Sequence, residues 1–166
     1  DSSFLKFSPD IAVITNIEEE HLDHFKTMGR IEKAYKDFLA GLAPHGEWFG
    51  CSEDKRVAGM AKEYANAHLY GFKKIPAQLY APNIEECPKG WRGILFDCWQ
   101  GDKKLGPVRL KILGRHNALN ALAAIGVGLK LGIPFEKIAQ ALTTYEGAGR
   151  RFDVKYEDKD YLVVDD

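Results

Sequence analysis

Apolar residues recur along this chain at two alternating spacings. Ile11 to Thr15, IAVIT, is a short unbroken apolar run, the pattern of a strand covered on both faces. Ile31, Tyr35, Phe38 and Leu42 follow at three- and four-residue intervals and predict an amphipathic helix. EWFGC reads as a second strand, the stretch from about Lys55 to Ala67 as a helix, and HLYGF as a third strand. Such alternation predicts an α/β fold.

From Gln78 to Ile112 the pattern changes. GILFDCW and GPVRLKIL flank the turn-rich QGDKKL, which predicts antiparallel strands at the edge of a mixed sheet. Ala118, Leu122, Ile125 and Leu129 then mark a buried helix, with Gly132 where it stops. Another helix is expected from Pro134 to Thr143, with Pro134 in its first turn. Beyond EGAG come RRFDVKYE and YLVVDD, two strands joined by the charged turn DKD. The whole is an α/β fold with a mixed, mainly parallel sheet flanked by helices, followed by a C-terminal β-hairpin. The glycine-rich break at Gly147 to Gly149 divides it into residues 1–148 and 149–166.

Composition narrows the chemistry. With 166 residues, 45% hydrophobic and 28% charged, the chain can bury one sizeable core. A net charge of −1 provides no basic field for nucleic acid, although a small anionic ligand remains possible. Three cysteines, Cys51, Cys87 and Cys98, without CxxC spacing, indicate neither a disulfide framework nor a zinc site and suit a reducing compartment. No run approaches the ~20 apolar residues of a membrane span, and no membrane partner is expected. DSSFLKFSPD lacks an initiator Met, and the chain closes directly after a strand, so it reads as an excised piece.

Two polar groupings stand out. TNIEEEHLDHF follows the first strand, where ligands gather in α/β sheets. Its Glu18, Glu19, Glu20, His21 and Asp23 suit a divalent cation and phosphates; a solvated acidic loop is the other reading. The second is the start of the long apolar helix, GRHNALN, with Arg115, His116, Asn117 and Asn120. An Asn amide offers a donor and an acceptor side by side, which can pair with adenine. Equally, Asn117 can serve as an N-cap with Asn120 satisfying nearby backbone.

SSFLKFSPDIAVITNIEEEHLDHF, LGRHNALNALAA with LGI after it, and GAGRRFDV leading to VVDD occur in the order and approximate spacing of the Mur ligase family, which the chain resembles over nearly its whole length. The resemblance is greatest to members of peptidoglycan precursor synthesis that join L-alanine to UDP-N-acetylmuramate. It implies cytoplasmic, ATP-dependent amide formation with Mg²⁺, in which the muramate carboxylate attacks the γ-phosphate and the amine displaces phosphate from an acyl phosphate. Members have three domains, so residues 1–148 would be the later part of the central ATPase domain and 149–166 the start of the next.

Site roles follow from the same resemblance. His21 would bind or orient Mg²⁺ near the γ-phosphate. Asn117 and Asn120 would hold adenine with His116 beside them, Arg151 would approach the phosphates, and Asp166 the ribose hydroxyls. Surface alternatives are an ion pair of Arg151 with Asp153 or Glu157 and a solvated strand end at Asp166. Lys36 stands at the distance from His21 at which other Mur ligases carry a carbamylated, Mg²⁺-holding lysine; L-alanine-adding members generally lack it, which favours a solvent-facing residue. His24 stands where the family more often has tyrosine and receives no role. No Gly-Lys-[ST] phosphate loop occurs in the 166 residues, so this piece alone is expected to be inactive and to bind ATP weakly at most. The alternatives are a related ligase of the folylpolyglutamate synthase or cyanophycin synthetase type, a non-catalytic nucleotide-binding scaffold, and an unrelated metal-hydrolase loop.

Overall fold

The computed structural model describes residues 2–86, 93–147, 153–158 and 161–165. A 3-10 turn at Ser3–Lys6 leads into β1 (Ile11–Ile14), and α1 (Leu22–Phe25) and α2 (Met28–Ala40) follow. Next come β2 (Glu47–Cys51), α3 (Lys55–Ala61), β3 (Ala67–Gly71), β4 (Leu79–Tyr80), β5 (Ile84–Glu86), β6 (Ile94–Gln100) and β7 (Lys103–Leu110). Two helices, α4 (Arg115–Lys130) and α5 (Phe135–Thr144), precede the hairpin β8 (Asp153–Glu157) and β9 (Leu162–Asp165).

The main sheet has the order β1-β2-β3-β4-β6-β5, with β7 also on β6. β1 to β4 run parallel, and β6 is antiparallel to β4, β5 and β7. β7 pairs along the length of β6, so β4 and β5 share its other edge end to end. The antiparallel extension expected after Gln78 is present, and β8 with β9 forms its own two-stranded sheet.

Three local expectations are corrected. IAVIT is not covered on both faces: Val13 is 41% exposed, because β1 is the outermost strand on its side and α4 packs on β2, β3, β4 and β6. α3 stops at Ala61, well short of Ala67, because the chain tightens into i→i+3 bonds from Lys62 to Gly59 and Glu63 to Met60 and turns back into β3. Pro134 is the N-cap of α5 and not a residue of its first turn.

One apolar layer lies on each side of the sheet. Phe49, Tyr70, Leu79 and Phe96 meet Ala118, Leu122 and Ile125 of α4 and Phe135 and Ile138 of α5. On the other side, Ala12, Ile14, Trp48 and Leu69 meet Ile31 and Leu39 of α2 and Val57 and Met60 of α3. The period-two alternation of β2 divides Trp48 from Phe49 and joins both layers to one strand.

α4 lies close against β2. A Cβ on Gly126 would come within 2.8 Å of the Phe49 ring, so only glycine permits this approach. At the far end of α4, the Lys130 ammonium meets Glu47, the first residue of β2, and the same carboxylate takes His68 of β3 at 2.7 Å. α4 therefore runs opposite to the parallel strands and starts at their carboxyl ends.

Gly126→Ala should destabilise the fold by about 1–3 kcal/mol through overpacking, more than the roughly 1 kcal/mol that alanine contributes to a helix interior; the urea midpoint reads it. The Glu47 carboxyl is held below the ordinary carboxylate range, first by Lys130 and then by His68. The unfolded chain thus binds its proton more readily, and the stabilisation from Glu47 is present above about pH 4.3 and lost as pH falls through the folded pKa. In urea titrations across this range, Glu47→Gln should flatten that part of the acid dependence.

Candidate functional site

The loop after β1 is tied down before it reaches its polar residues. Ile17 is fully buried, and its N–H donates to Asp54 Oδ2 at 3.2 Å. The other oxygen of Asp54 accepts from the N–H groups of Arg56 (2.8 Å) and Val57 (2.9 Å), capping α3. One carboxylate thus joins the β1 loop to the turn after β2. Thr15 Oγ1 donates to Asn16 Oδ1 (3.0 Å), and Asn16 Nδ2 donates to Glu18 Oε1 (2.7 Å).

His21 begins α1 in the left-handed region, at φ 53° and ψ 38°, and its carbonyl accepts from the N–H groups of His24 and Phe25, both at 2.9 Å. That backbone conformation is uncommon outside glycine. The exposed imidazole lines a cavity of about 500 Å³ together with Asn16, Glu18, Glu20 and Tyr35, against an apolar wall of Phe4, Phe25, Ile31 and Ala34. Burial pushes the Tyr35 phenol up, and the charges of Glu20 and Asp54 push it further.

Lys36 is not brought to this cavity. Its ammonium donates to both oxygens of Glu63, at 2.8 and 2.7 Å, which also holds its pKa up. His24 accepts or donates a hydrogen bond with Ser2 Oγ at 2.9 Å. Among the described residues no group of three or more His, Cys, Asp or Glu side chains is gathered as a metal shell.

The start of α4 differs from the capping reading. Gly114, not Asn117, is the N-cap, at φ 94°, a conformation that favours glycine. The His116 ring folds over it, 2.5 Å from where a Cβ would stand. Asn117 is already in the first turn: its N–H donates to the Gly114 carbonyl (2.8 Å), and its side-chain amide donates back to the Leu113 carbonyl (2.7 Å). Asn120 Nδ2 donates to Asn117 Oδ1 at 3.3 Å. The outer member of the pair, Asn120, is exposed and its Oδ1 has no partner among the described residues. The Arg115 guanidinium lies 4.6 Å above the ring of Phe72, the residue after β3.

These contacts place the two groupings on one rim. β1, β2 and β3 are adjacent and parallel; the His21 loop leaves the carboxyl end of β1, and the start of α4 sits at the carboxyl end of β3. β1 and β3 are two strand spacings apart, roughly 10 Å. His116, Asn117 and Asn120 therefore share a rim with His21, whereas Arg151, Asp166, Cys87 and the glycine break around residue 148 lie outside the described residues.

Residues 2–128 match the Mur ligase middle domain. The chain belongs to the Mur ligase family. It is 37% identical over 166 residues to the UDP-N-acetylmuramate--L-alanine ligase of Syntrophotalea carbinolica and 38% identical over 170 residues to that of Solidesulfovibrio magneticus. It is covered completely in both comparisons but spans only 36% and 35% of those proteins. Among Mur ligase structures, its fold matches 95% of the chain on 34% of MurF from Acinetobacter baumannii, with a TM-score of 0.78 at 26% identity. The UDP-N-acetylmuramate-alanine ligase of Thermotoga maritima matches all of the chain on 36% of its own length, with a TM-score of 0.82 at 24% identity, and shares its mixed sheet flanked by helices.

Asp54, which ties down the loop, and Tyr35, which lines the cavity, are the site components that residue patterns passed over. EDKRV before a helix signals a capping Asp54, but its second tie, to Ile17, arises only in three dimensions. Asp54→Ala should cost about 1–2 kcal/mol and speed hydrogen exchange at the Ile17 amide; an unchanged exchange rate would show that the loop is held by burial alone.

Proposed function

We propose that this Mur ligase chain is part of an ATP-dependent ligase that joins L-alanine to UDP-N-acetylmuramate in the cytoplasm. The observation that carries the reading is the shared rim: a cation-suited loop and an amide-bearing helix start, two strands apart, support one nucleotide lying between them. The names of the relatives that match the whole chain support the two substrates.

In this reading Asn120, oriented by Asn117, pairs with the adenine edge, and His116 flanks it. His21 faces the other end, near the γ-phosphate and the muramate carboxylate. The carboxylates of Glu18 and Glu20 on its cavity suit Mg²⁺, which would be held by one or two carboxylates, waters and the substrate phosphates and needs no gathered protein shell. When bound, Mg²⁺ supplies charge neutralisation for phosphoryl transfer. The protein's own work is positioning: the buried Ile17 and the Asp54 tie hold the His21 loop at the end of β1, so the two reactants meet in a fixed geometry. The carboxylate of UDP-N-acetylmuramate attacks the γ-phosphorus and ADP leaves. The L-alanine amine then adds to the acyl carbon, loses a proton, and inorganic phosphate departs.

Arg151 at the phosphates and Asp166 at the ribose complete the proposal from the sequence resemblance. The contact of Lys36 with Glu63 supports a surface ion pair over a carbamylated ligand. The separate β8–β9 sheet supports residues 149–166 as the start of a further domain.

In the full-length protein, phosphate release from ATP should require both UDP-N-acetylmuramate and L-alanine, and His21→Ala should lower turnover by roughly 10²-fold or more. Coupled phosphate detection reads both. Release that does not depend on L-alanine would overturn the substrate assignment.

A further inference from the structure

Arg115 has no role in the reading above, yet its surroundings are specific. Its guanidinium stacks on Phe72, is exposed, and has no carboxylate partner among the described residues. Arg30 and Arg109 also meet no carboxylate among the described residues; what sets Arg115 apart is the aromatic ring beneath its guanidinium. Glu53, the carboxylate beside Phe72, accepts from the Phe72 backbone N–H at 2.9 Å and makes no ion pair with Arg115. Phe72 is itself half-buried, packed against the α4 layer, so the platform under the cation is held from below and from the side.

Helix geometry fixes the direction in which Arg115 points along the rim. Asn117 and Gly128 are eleven residues apart, about three turns, and so share a flank; Gly128 packs on Ile138 of α5. Arg115 and Lys130 are fifteen residues apart and emerge on the other flank within about 60° of each other; Lys130 meets Glu47 of β2. Asn117 thus lies on the α5 side, Asn120 on the exposed face between the two flanks, and Arg115 on the β2 side. Since β2 lies between β3 and β1, Arg115 stands between the asparagine pair and the loop that carries His21.

We propose that Arg115 binds a phosphate group of the nucleotide, and that Phe72 is a positioning residue that holds the guanidinium flat for it. This rests on the nucleotide reading above and adds to it the residue that meets the phosphates at mid-rim. A guanidinium suits the task because one face stacks on an aromatic ring while the N–H edge presents donors in the geometry of a phosphate. Lysine, with a point charge and no planar face, would not be held in the same way.

ADP and adenosine titrations of the full-length protein test the assignment. Arg115→Ala should weaken ADP about tenfold, equivalent to about 1.4 kcal/mol, leave adenosine unchanged, and flatten the salt dependence of ADP binding. Arg115→Lys should recover part of the loss, and Phe72→Leu should weaken ADP to a smaller degree without affecting adenosine. Asn120→Ala should weaken both ligands equally and keep the salt slope. A cooperative unfolding transition near that of the unsubstituted protein, lowered only by the lost contact with Phe72, confirms that Arg115→Ala folds. An unaltered ADP affinity in Arg115→Ala overturns this assignment alone, as does equal loss of ADP and adenosine. If the unsubstituted protein binds neither ligand, the nucleotide reading fails and takes this one with it.

Discussion

The close seating of α4 on β2 governs everything at the rim. With Gly126 against Phe49 there is no room for α4 to shift away without opening the apolar layer, and its two ends are secured differently. Lys130 and Glu47 hold one end by charge, and Arg115 and Phe72 hold the other by cation–π contact. The helix is thereby set antiparallel to the strands, and its polar first turn is delivered to the carboxyl ends where ligands of α/β sheets collect. A helix packed on the same layer in the opposite sense would present Lys130 there instead.

The His21 loop is positioned by a different device. Ile17 enters the α2–α3 layer, and Asp54 links its amide to the cap of α3, so loop and helix share a carboxylate. Between these two anchors and α1, the left-handed His21 turns the chain back over the cavity. Polar side chains preceding it form a relay from Thr15 through Asn16 to Glu18, which restrains them.

Much of the architecture was legible because periodicity reports burial directly. β2, β3, α2 and α4 followed from it, as did the antiparallel section after Gln78. Lapses occurred where tertiary position or backbone conformation decides. Val13 looks buried in sequence because its neighbours are apolar, but the end of the sheet leaves it exposed. Asn117 looks like a cap because asparagine is a better cap than glycine in general; at φ 94° the preference reverses, and Gly114 takes the place. The residue types of the candidate site were visible in GRHNALN and TNIEEEHLDHF, together with their resemblance to Mur ligases. Their common rim was not, since it depends on strand order and on the direction of α4, neither of which a linear pattern encodes. Phe72 under Arg115 is of the same kind, a pairing of residues 43 positions apart (115 minus 72).

The two apolar layers have a mechanical consequence. The His21 loop belongs to the side of the sheet covered by α2 and α3, and the asparagine pair to the side covered by α4 and α5; β2, through Trp48 and Phe49, contributes to both. A molecule reaching from one grouping to the other would act as a brace across the two faces of one sheet. Its free energy of association would then oppose the opening of either layer.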